Sequence, residues 1–110
     1  VKHIIATVKK YPFPLRINAH IGDGNLHIVL CKMDLTDEEW EDNLARFTKE
    51  IYTYVYAHGG RLSGEHGIGY KRKQLMEEFT NPDELEMMRA IKKALDSNNI
   101  LNPGKIFDIE

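Results

Sequence analysis

The sequence lacks most of the features that mark a specialised class of protein. Cys31 is the only cysteine, so an intramolecular disulfide framework is excluded and a reducing compartment is compatible. No apolar run approaches the roughly 20 residues of a membrane span. Seventeen acidic and 15 basic residues give a formal net charge of −2, with no long basic run, so nothing indicates nucleic-acid binding. We therefore expect a small globular protein in the cytoplasm.

The chain also lacks an initiator methionine, the layout of a signal peptide and a dinucleotide-type glycine fingerprint after a strand. Its 110 residues suffice for one small domain. An amphipathic pattern runs from Val1 onward. We therefore expect residues 1–110 to be a single domain and a piece of something longer.

Some segments of the sequence have apolar residues at the helical period, and others have them at the strand period. A helix is predicted over about residues 1–10, stopped by the prolines of residues 11–14. Thr36 begins a capping box, and the stripe behind it predicts a helix of about five turns that ends at Gly59-Gly60. This stripe consists of Trp40, Leu44, Phe47, Ile51 and Val55.

The rest of the chain predicts a short strand and two more helices. Residues 61–63 are long enough only for a short strand that could pair beside the hairpin described next, and a helix follows over about residues 70–79. Asn81 is a predicted N-cap, and Leu85 begins the buried stripe of the last helix. That stripe continues through Met88, Ile91 and Leu95. The predicted class is α+β, with a small antiparallel sheet covered on one face by helices and a helical C-terminal extension.

A hairpin between these helices carries two histidines. Apolar and polar residues alternate before and after the turn Gly22–Asn25, the period of half-buried strands. If this four-residue turn closes the hairpin, His20 lies opposite His27, and Ile21 lies opposite Leu26. Opposed residues have Cβ atoms about 4.5–5.5 Å apart, so both imidazoles could bind one cation. The alternative is that both are polar residues on a solvated sheet face.

The glycine-rich segment Ser63–Gly69 supplies a carboxylate and a further histidine. Glu65 is the predicted third ligand, and His66, which should point differently, is a predicted proton acceptor. Asp23 is a competing ligand, but between two glycines it is expected to bond backbone N–H groups of the turn. His3 and His58 are expected to be surface residues without partners.

Three motifs in order resemble the C-terminal region of the FAD-linked oxidases, the family of the D-subunit of glycolate oxidase, FAD-dependent D-lactate dehydrogenase and D-2-hydroxyglutarate dehydrogenase. They are the hairpin motif His20–His27, the segment Ser63–Gly69 and the turn Leu101–Lys105. The resemblance implies the ferredoxin-like part of the family's C-terminal cap domain. It also implies zinc or manganese bound by His20, His27 and Glu65, with His66 as base.

The same resemblance implies a reaction. The metal would hold a small D-2-hydroxy acid, His66 would remove the hydroxyl proton, and hydride would pass to FAD. Asn102 is implied as a contact on the flavin side, while a missing N-terminal domain would bind most of the flavin. The isolated chain should therefore be inactive. The electron acceptor is unknown and could link the enzyme to a membrane.

One departure from the family bears on the substrate. Val29 stands where D-2-hydroxyglutarate dehydrogenases have asparagine, which favours a glycolate- or D-lactate-like acid. Two other functions fit the chain as given. One is a stand-alone metal-binding α+β module that acts on or binds a small acid, and the other is a non-catalytic interaction domain.

Overall fold

The computed structural model describes residues 1–109, which divide into two compact units after Gly64. The first unit contains helix α1 (Lys2–Val8), strands β1 (Leu15–His20) and β2 (Asn25–Leu30), and helix α2 (Asp37–Ala57). The second unit, from Glu65 onward, contains helices α3 (Lys73–Phe79) and α4 (Pro82–Leu95). Four helices and one antiparallel strand pair within the described residues confirm the predicted α+β class.

The core of the first unit separates the two faces of the hairpin. Ile4, Val8 and Phe13 join Phe47 and Ile51 of α2 in one buried cluster. The apolar side chains of both strands pack against this cluster: Leu15, Ile17, Leu26, Ile28 and Leu30. Because directly paired residues share a face, the other face carries Arg16, Asn18 and His20 of β1 with Asn25, His27 and Val29 of β2. We call this second set the polar face.

The start of α2 follows the sequence prediction. The backbone N–H of Glu39 donates to the Thr36 hydroxyl over 3.2 Å, and the backbone N–H of Thr36 donates to the Glu39 carboxylate over 3.2 Å. Phe47 and Ile51 are 3 % and 4 % exposed, as the predicted stripe requires. The capping box and the stripe are thus both confirmed, and α2 covers the apolar face of the hairpin.

The predicted hairpin register is wrong by two residues. His20 pairs with Asn25, and His27 pairs with Asn18. The cause is the position of the turn, because Ile21 leaves the strand, is 80 % exposed and begins a single 3₁₀ turn over Ile21–Asp23. Gly24, with φ of 68°, completes this turn and donates its N–H to the Ile21 carbonyl over 3.2 Å. A shift of two residues keeps every side chain on its face, so both histidines remain on the polar face.

The short strand predicted over residues 61–63 is absent from the described sheet, which contains only β1 and β2. Leu62 is instead held in an irregular segment, where its carbonyl accepts a hydrogen bond from the Tyr52 hydroxyl over 3.4 Å. Three residues beside Gly60 and Gly64 offer few side chains to a sheet edge, which explains the difference.

The last helix of the second unit begins where capping chemistry places it, whereas α3 begins without a side-chain cap. The backbone N–H of Asp83 donates to the Asn81 side chain over 2.8 Å, and Pro82 is the first residue of α4. Leu85 is buried, but Ile91 and Leu95 are 56 % and 81 % exposed, so the prediction that the whole stripe is buried is wrong. None of the described helices has the length and apolar character needed to cross a membrane.

Candidate metal and base site

The two histidines of the polar face lie close enough to share one ion. Their ring centroids are 5.8 Å apart, with the ring planes at 76°. One ligand nitrogen of His20 lies within 4.8 Å of one ligand nitrogen of His27. A zinc ion bound at about 2.0–2.1 Å by two imidazoles holds their nitrogens roughly 3.4 Å apart, so a modest side-chain rotation completes the geometry. The pair is therefore a possible metal-binding group.

The 3₁₀ turn is what sets the diagonal arrangement of this pair. His20 is the last residue of β1, and His27 is the third residue of β2, opposite Asn18 rather than His20. The predicted role of Asp23 in closing the turn is wrong, since its side chain makes no hydrogen bond to any described residue and the backbone bond of Gly24 closes the turn. Asp23 is exposed.

Gly64 lies against the same end of the hairpin. A Cβ atom built on Gly64 would be 2.2 Å from Oδ1 and 2.5 Å from Cγ of Asn25. Asn25 is the direct strand partner of His20. The last residue of the first unit thus contacts the histidine end of the polar face, and only a glycine permits so close an approach.

Glu65 and His66 open the second unit and face each other. His66 Nε2 lies 3.4 Å from Glu65 Oε1, and the side chains are 73 % and 44 % exposed for His66 and Glu65 respectively. The prediction that these neighbours point apart is therefore wrong. The segment bends at residues 64–66 instead of continuing as a strand, so adjacent side chains do not alternate. The Glu65 carboxylate and the His66 imidazole form one local pair.

The predicted flavin-side turn is tied to this segment within the second unit. The backbone N–H of Ile106 donates to the Gly69 carbonyl over 2.7 Å. Asp96, at the end of α4, accepts hydrogen bonds from the N–H groups of Ile100 over 3.1 Å and Leu101 over 2.9 Å. Asn102 follows directly, exposed and with φ of 48°. One backbone hydrogen bond thus joins the residue that follows the Leu101–Lys105 turn to the end of the Ser63–Gly69 segment.

Electrostatics supports the anchoring role of Asp96. The Lys92 ammonium donates to the Asp96 carboxylate, and this bond, helped by the two backbone N–H groups, holds the pKa of Asp96 below its ordinary value. Lys92 also donates to the Leu101 carbonyl over 2.6 Å. A charged Asp96 therefore fixes the entry to the turn that carries Asn102.

The remaining histidines have partners that the sequence did not predict. His3 stacks on Tyr54 with ring centroids 3.6 Å apart, and His58 stacks on the same tyrosine at 4.0 Å. His58 is exposed, as expected, and His3 is half-buried, but the expectation that neither has a partner is wrong. Since α1 and α2 bring these rings together, His3 and His58 belong to the packing of those helices.

Sequence reasoning did not identify Asn25 and Asn18 as the direct strand partners of the two histidines. The predicted turn includes Asn25, yet Asn25 pairs with His20 and contacts Gly64, and Asn18 is the direct partner of His27. Strand alternation was a usable signal for Asn18, because it places residues 18 and 20 on one face. No sequence signal indicated the contact with Gly64.

Comparison with known proteins identifies related sequences along nearly the whole chain. Residues 1–106 match the family described as FAD linked oxidases, C-terminal domain. A D-lactate dehydrogenase of Anaerostipes hadrus is 39 % identical over 94 residues, which cover 86 % of this chain and 20 % of that protein. A D-2-hydroxyglutarate dehydrogenase of Stutzerimonas stutzeri is 40 % identical over 110 residues, covering 97 % of this chain and 24 % of the relative.

A third relative is the glycolate oxidase subunit GlcD of Bacillus subtilis, 35 % identical over 107 residues, which cover 97 % of this chain and 23 % of that subunit. The chain thus spans about a fifth to a quarter of the length of these relatives. Their names cover hydroxy acids with one carboxylate and with two.

Proposed function

The chain belongs to the family of FAD-linked oxidases, as their C-terminal domain, and on that premise we propose that it supplies a metal site and a base for oxidation of a small D-2-hydroxy acid to the 2-oxo acid. The observation that carries this proposal is the pair of imidazole nitrogens on the polar face, with a carboxylate and a third histidine following Gly64. The whole of residues 1–110 would act as this domain.

The ligands that we propose are His20, His27 and Glu65. Two neutral imidazoles and one carboxylate leave open positions on a divalent ion, which is the pattern of catalytic metal sites. Glu65 is bonded directly to Gly64, and Gly64 contacts Asn25, the strand partner of His20. Zinc and manganese both accept this donor set, and such an ion would polarise the hydroxyl of a bound acid.

His66 is the proposed base. It would accept the hydroxyl proton of the acid at Nε2, while hydride leaves the α-carbon and the carbonyl of the 2-oxo acid forms. FAD would supply the hydride acceptor. It would be bound mainly by a part of the relatives outside this chain, with Asn102 as a contact from the second unit.

We further propose that the isolated chain is inactive and that its partners are the acid, the flavin-binding domain and an electron acceptor. The cytoplasmic location, with any membrane association made through that acceptor, stays a prediction. So does the choice of a glycolate- or D-lactate-like acid, which rests on Val29 alone.

Paired substitutions in the full-length flavoenzyme test the assignment of ligand and base. Glu65→Gln removes a charged ligand and should lower the metal content after dialysis. His66→Asn should keep the metal and slow flavin reduction by roughly 10²- to 10⁴-fold, the usual contribution of a general base. Glu86→Gln replaces an exposed carboxylate on α4 by a carboxamide and should leave both the metal content and the rate of flavin reduction unchanged.

Metal analysis and single-turnover flavin reduction separate these outcomes. If His66→Asn loses the metal while Glu65→Gln keeps it, ligand and base are exchanged. If neither variant affects flavin reduction although FAD is bound, the catalytic proposal is wrong, and a module that only binds metal becomes the better description.

A further inference from the structure

Arg16 is a cationic side chain on the polar face that the proposed reaction does not use. It is exposed, and its direct strand partner is Val29, which is 47 % exposed. The six residues of the polar face include no carboxylate. Within the described part of the chain the Arg16 side chain makes no hydrogen bond or ion pair. An unpaired guanidinium on the same sheet face as two histidines is a suitable partner for an anion.

The strand register gives the separation along the strands between the backbone row of Arg16 and an ion bound by the two histidines. Asn18 lies opposite His27, and His20 lies two residues further along β1. An ion shared by the two histidines therefore projects between the row of Asn18 and the row of His20. Since residues in an antiparallel strand advance by about 3.4 Å, the row of Arg16 is roughly 10 Å from that ion.

This distance discriminates between two classes of acid. An acid oxygen on the ion is about 2.1 Å from it, and an extended carbon chain advances by about 1.3 Å per bond. The second carboxylate of a five-carbon diacid would thus lie roughly 8 Å from the ion, within hydrogen-bond reach of a guanidinium on the Arg16 row. The single carboxylate of a short acid would end about 5 Å short of that row.

We propose that Arg16 forms a subsite for a second carboxylate, so that the site selects four- or five-carbon 2-hydroxy diacids over acids with one carboxylate. The inference rests on the proposed function, from which it takes the ion and the hydroxy acid. It replaces the preference drawn from Val29, because that prediction considered β2 alone. The register places a cation, the side chain of Arg16, on the residue directly opposite Val29.

The test uses the 110-residue chain and two ligands of matched length. Zinc binding is measured first, without any acid, by competition with a chelating dye. The zinc-loaded chain is then titrated with D-2-hydroxyglutarate and with D-2-hydroxyvalerate, which has a methyl group in place of the second carboxylate. Ultrafiltration verifies that zinc stays on the protein. Arg16→Gln is compared with Arg46→Gln, which removes the same charge from α2.

We expect the diacid to bind about tenfold more tightly than the valerate, as a charge-assisted guanidinium–carboxylate pair provides. Arg16→Gln should abolish this preference without changing zinc affinity, and Arg46→Gln should retain it. Equal affinity of the two acids for the wild-type zinc form would overturn the inference while leaving the metal site intact. Retention of the preference for the diacid in Arg16→Gln would also overturn the inference and leave the metal site intact. Failure of the wild-type chain to bind zinc would instead overturn the proposed function, and the inference with it.

Discussion

Replacing Gly64 by alanine should weaken metal binding although Gly64 is not a ligand. The new Cβ would lie 2.2 Å from Asn25 Oδ1, whereas real Cβ contacts are rarely below 3.0 Å. Either the Asn25 amide rotates away or the backbone at Gly64 shifts by about 1 Å. Metal–ligand distances tolerate only about ±0.2 Å, so a shift of this size would take Glu65, the proposed third ligand, out of reach of an ion bound by the two histidines.

We expect Gly64→Ala to lower zinc affinity by about tenfold, in the range seen when a group that orients a ligand is changed. The cost in unfolding free energy should stay below about 1 kcal/mol, because Oδ1 is the end of a flexible side chain. Dye competition measures the affinity, and urea denaturation followed by circular dichroism measures the stability. Gly22→Ala is the matched control, since a Cβ there meets no atom within 4 Å.

The decisive variant is the double substitution Gly64→Ala with Asn25→Ala. Removing the Asn25 amide makes room for the new Cβ, so zinc affinity should return to that of Asn25→Ala alone. If Gly64→Ala binds zinc as tightly as the wild-type chain, or if the double variant is as weak as Gly64→Ala, the contact does not position Glu65 and our reasoning is refuted.

Three further predictions concern stability and the flavin. The pKa of Asp96 is held below its ordinary value of 3.8, so the stabilising contribution of Asp96 is present above the unfolded pKa and is lost as the pH falls through the folded pKa. The thermal midpoint of Asp96→Asn should therefore vary less between pH 5 and pH 2 than that of the wild-type chain. Parallel curves of thermal midpoint against pH would contradict this prediction. Thr36→Ala should cost about 1 kcal/mol in urea denaturation through loss of the capping box, and no change would show that the cap is dispensable. The chain mixed with FAD should leave gel filtration colourless, and stoichiometric flavin retention would contradict the need for a further domain.

Local chemistry made several elements predictable. The Thr36 capping box and the Asn81 cap depend on residues within three positions of each other, and both are present as predicted. The apolar stripe of α2 was equally predictable from the sequence, because the helical period alone determines which side chains share a face. Each of these features is determined by neighbours in sequence.

The predictions that were wrong, and the contacts that were not predicted, concern features that depend on long-range packing. The last residues of the α4 stripe, Ile91 and Leu95, have the right period, but period does not reveal what covers a face. The contact between Gly64 and Asn25 joins positions that are distant in sequence, and the stacking of two histidines on Tyr54 depends on how α1 meets α2. A single sequence carries no local signal for any of these contacts.

The hairpin shows why a wrong register can leave a site prediction useful. A slip of one residue would have sent His20 to the core face, whereas the observed slip of two keeps it with His27 and changes only their relation, from directly opposed to diagonal. The diagonal relation leaves Asn18 and Asn25 as the direct partners of the histidines, and it places Arg16 opposite Val29. The two-residue shift from the predicted register therefore also determines the position of Arg16 from which we infer the second carboxylate subsite. If the hairpin had the predicted register, Arg16 would lie opposite Cys31, and the argument for that subsite would have to be made from different neighbours.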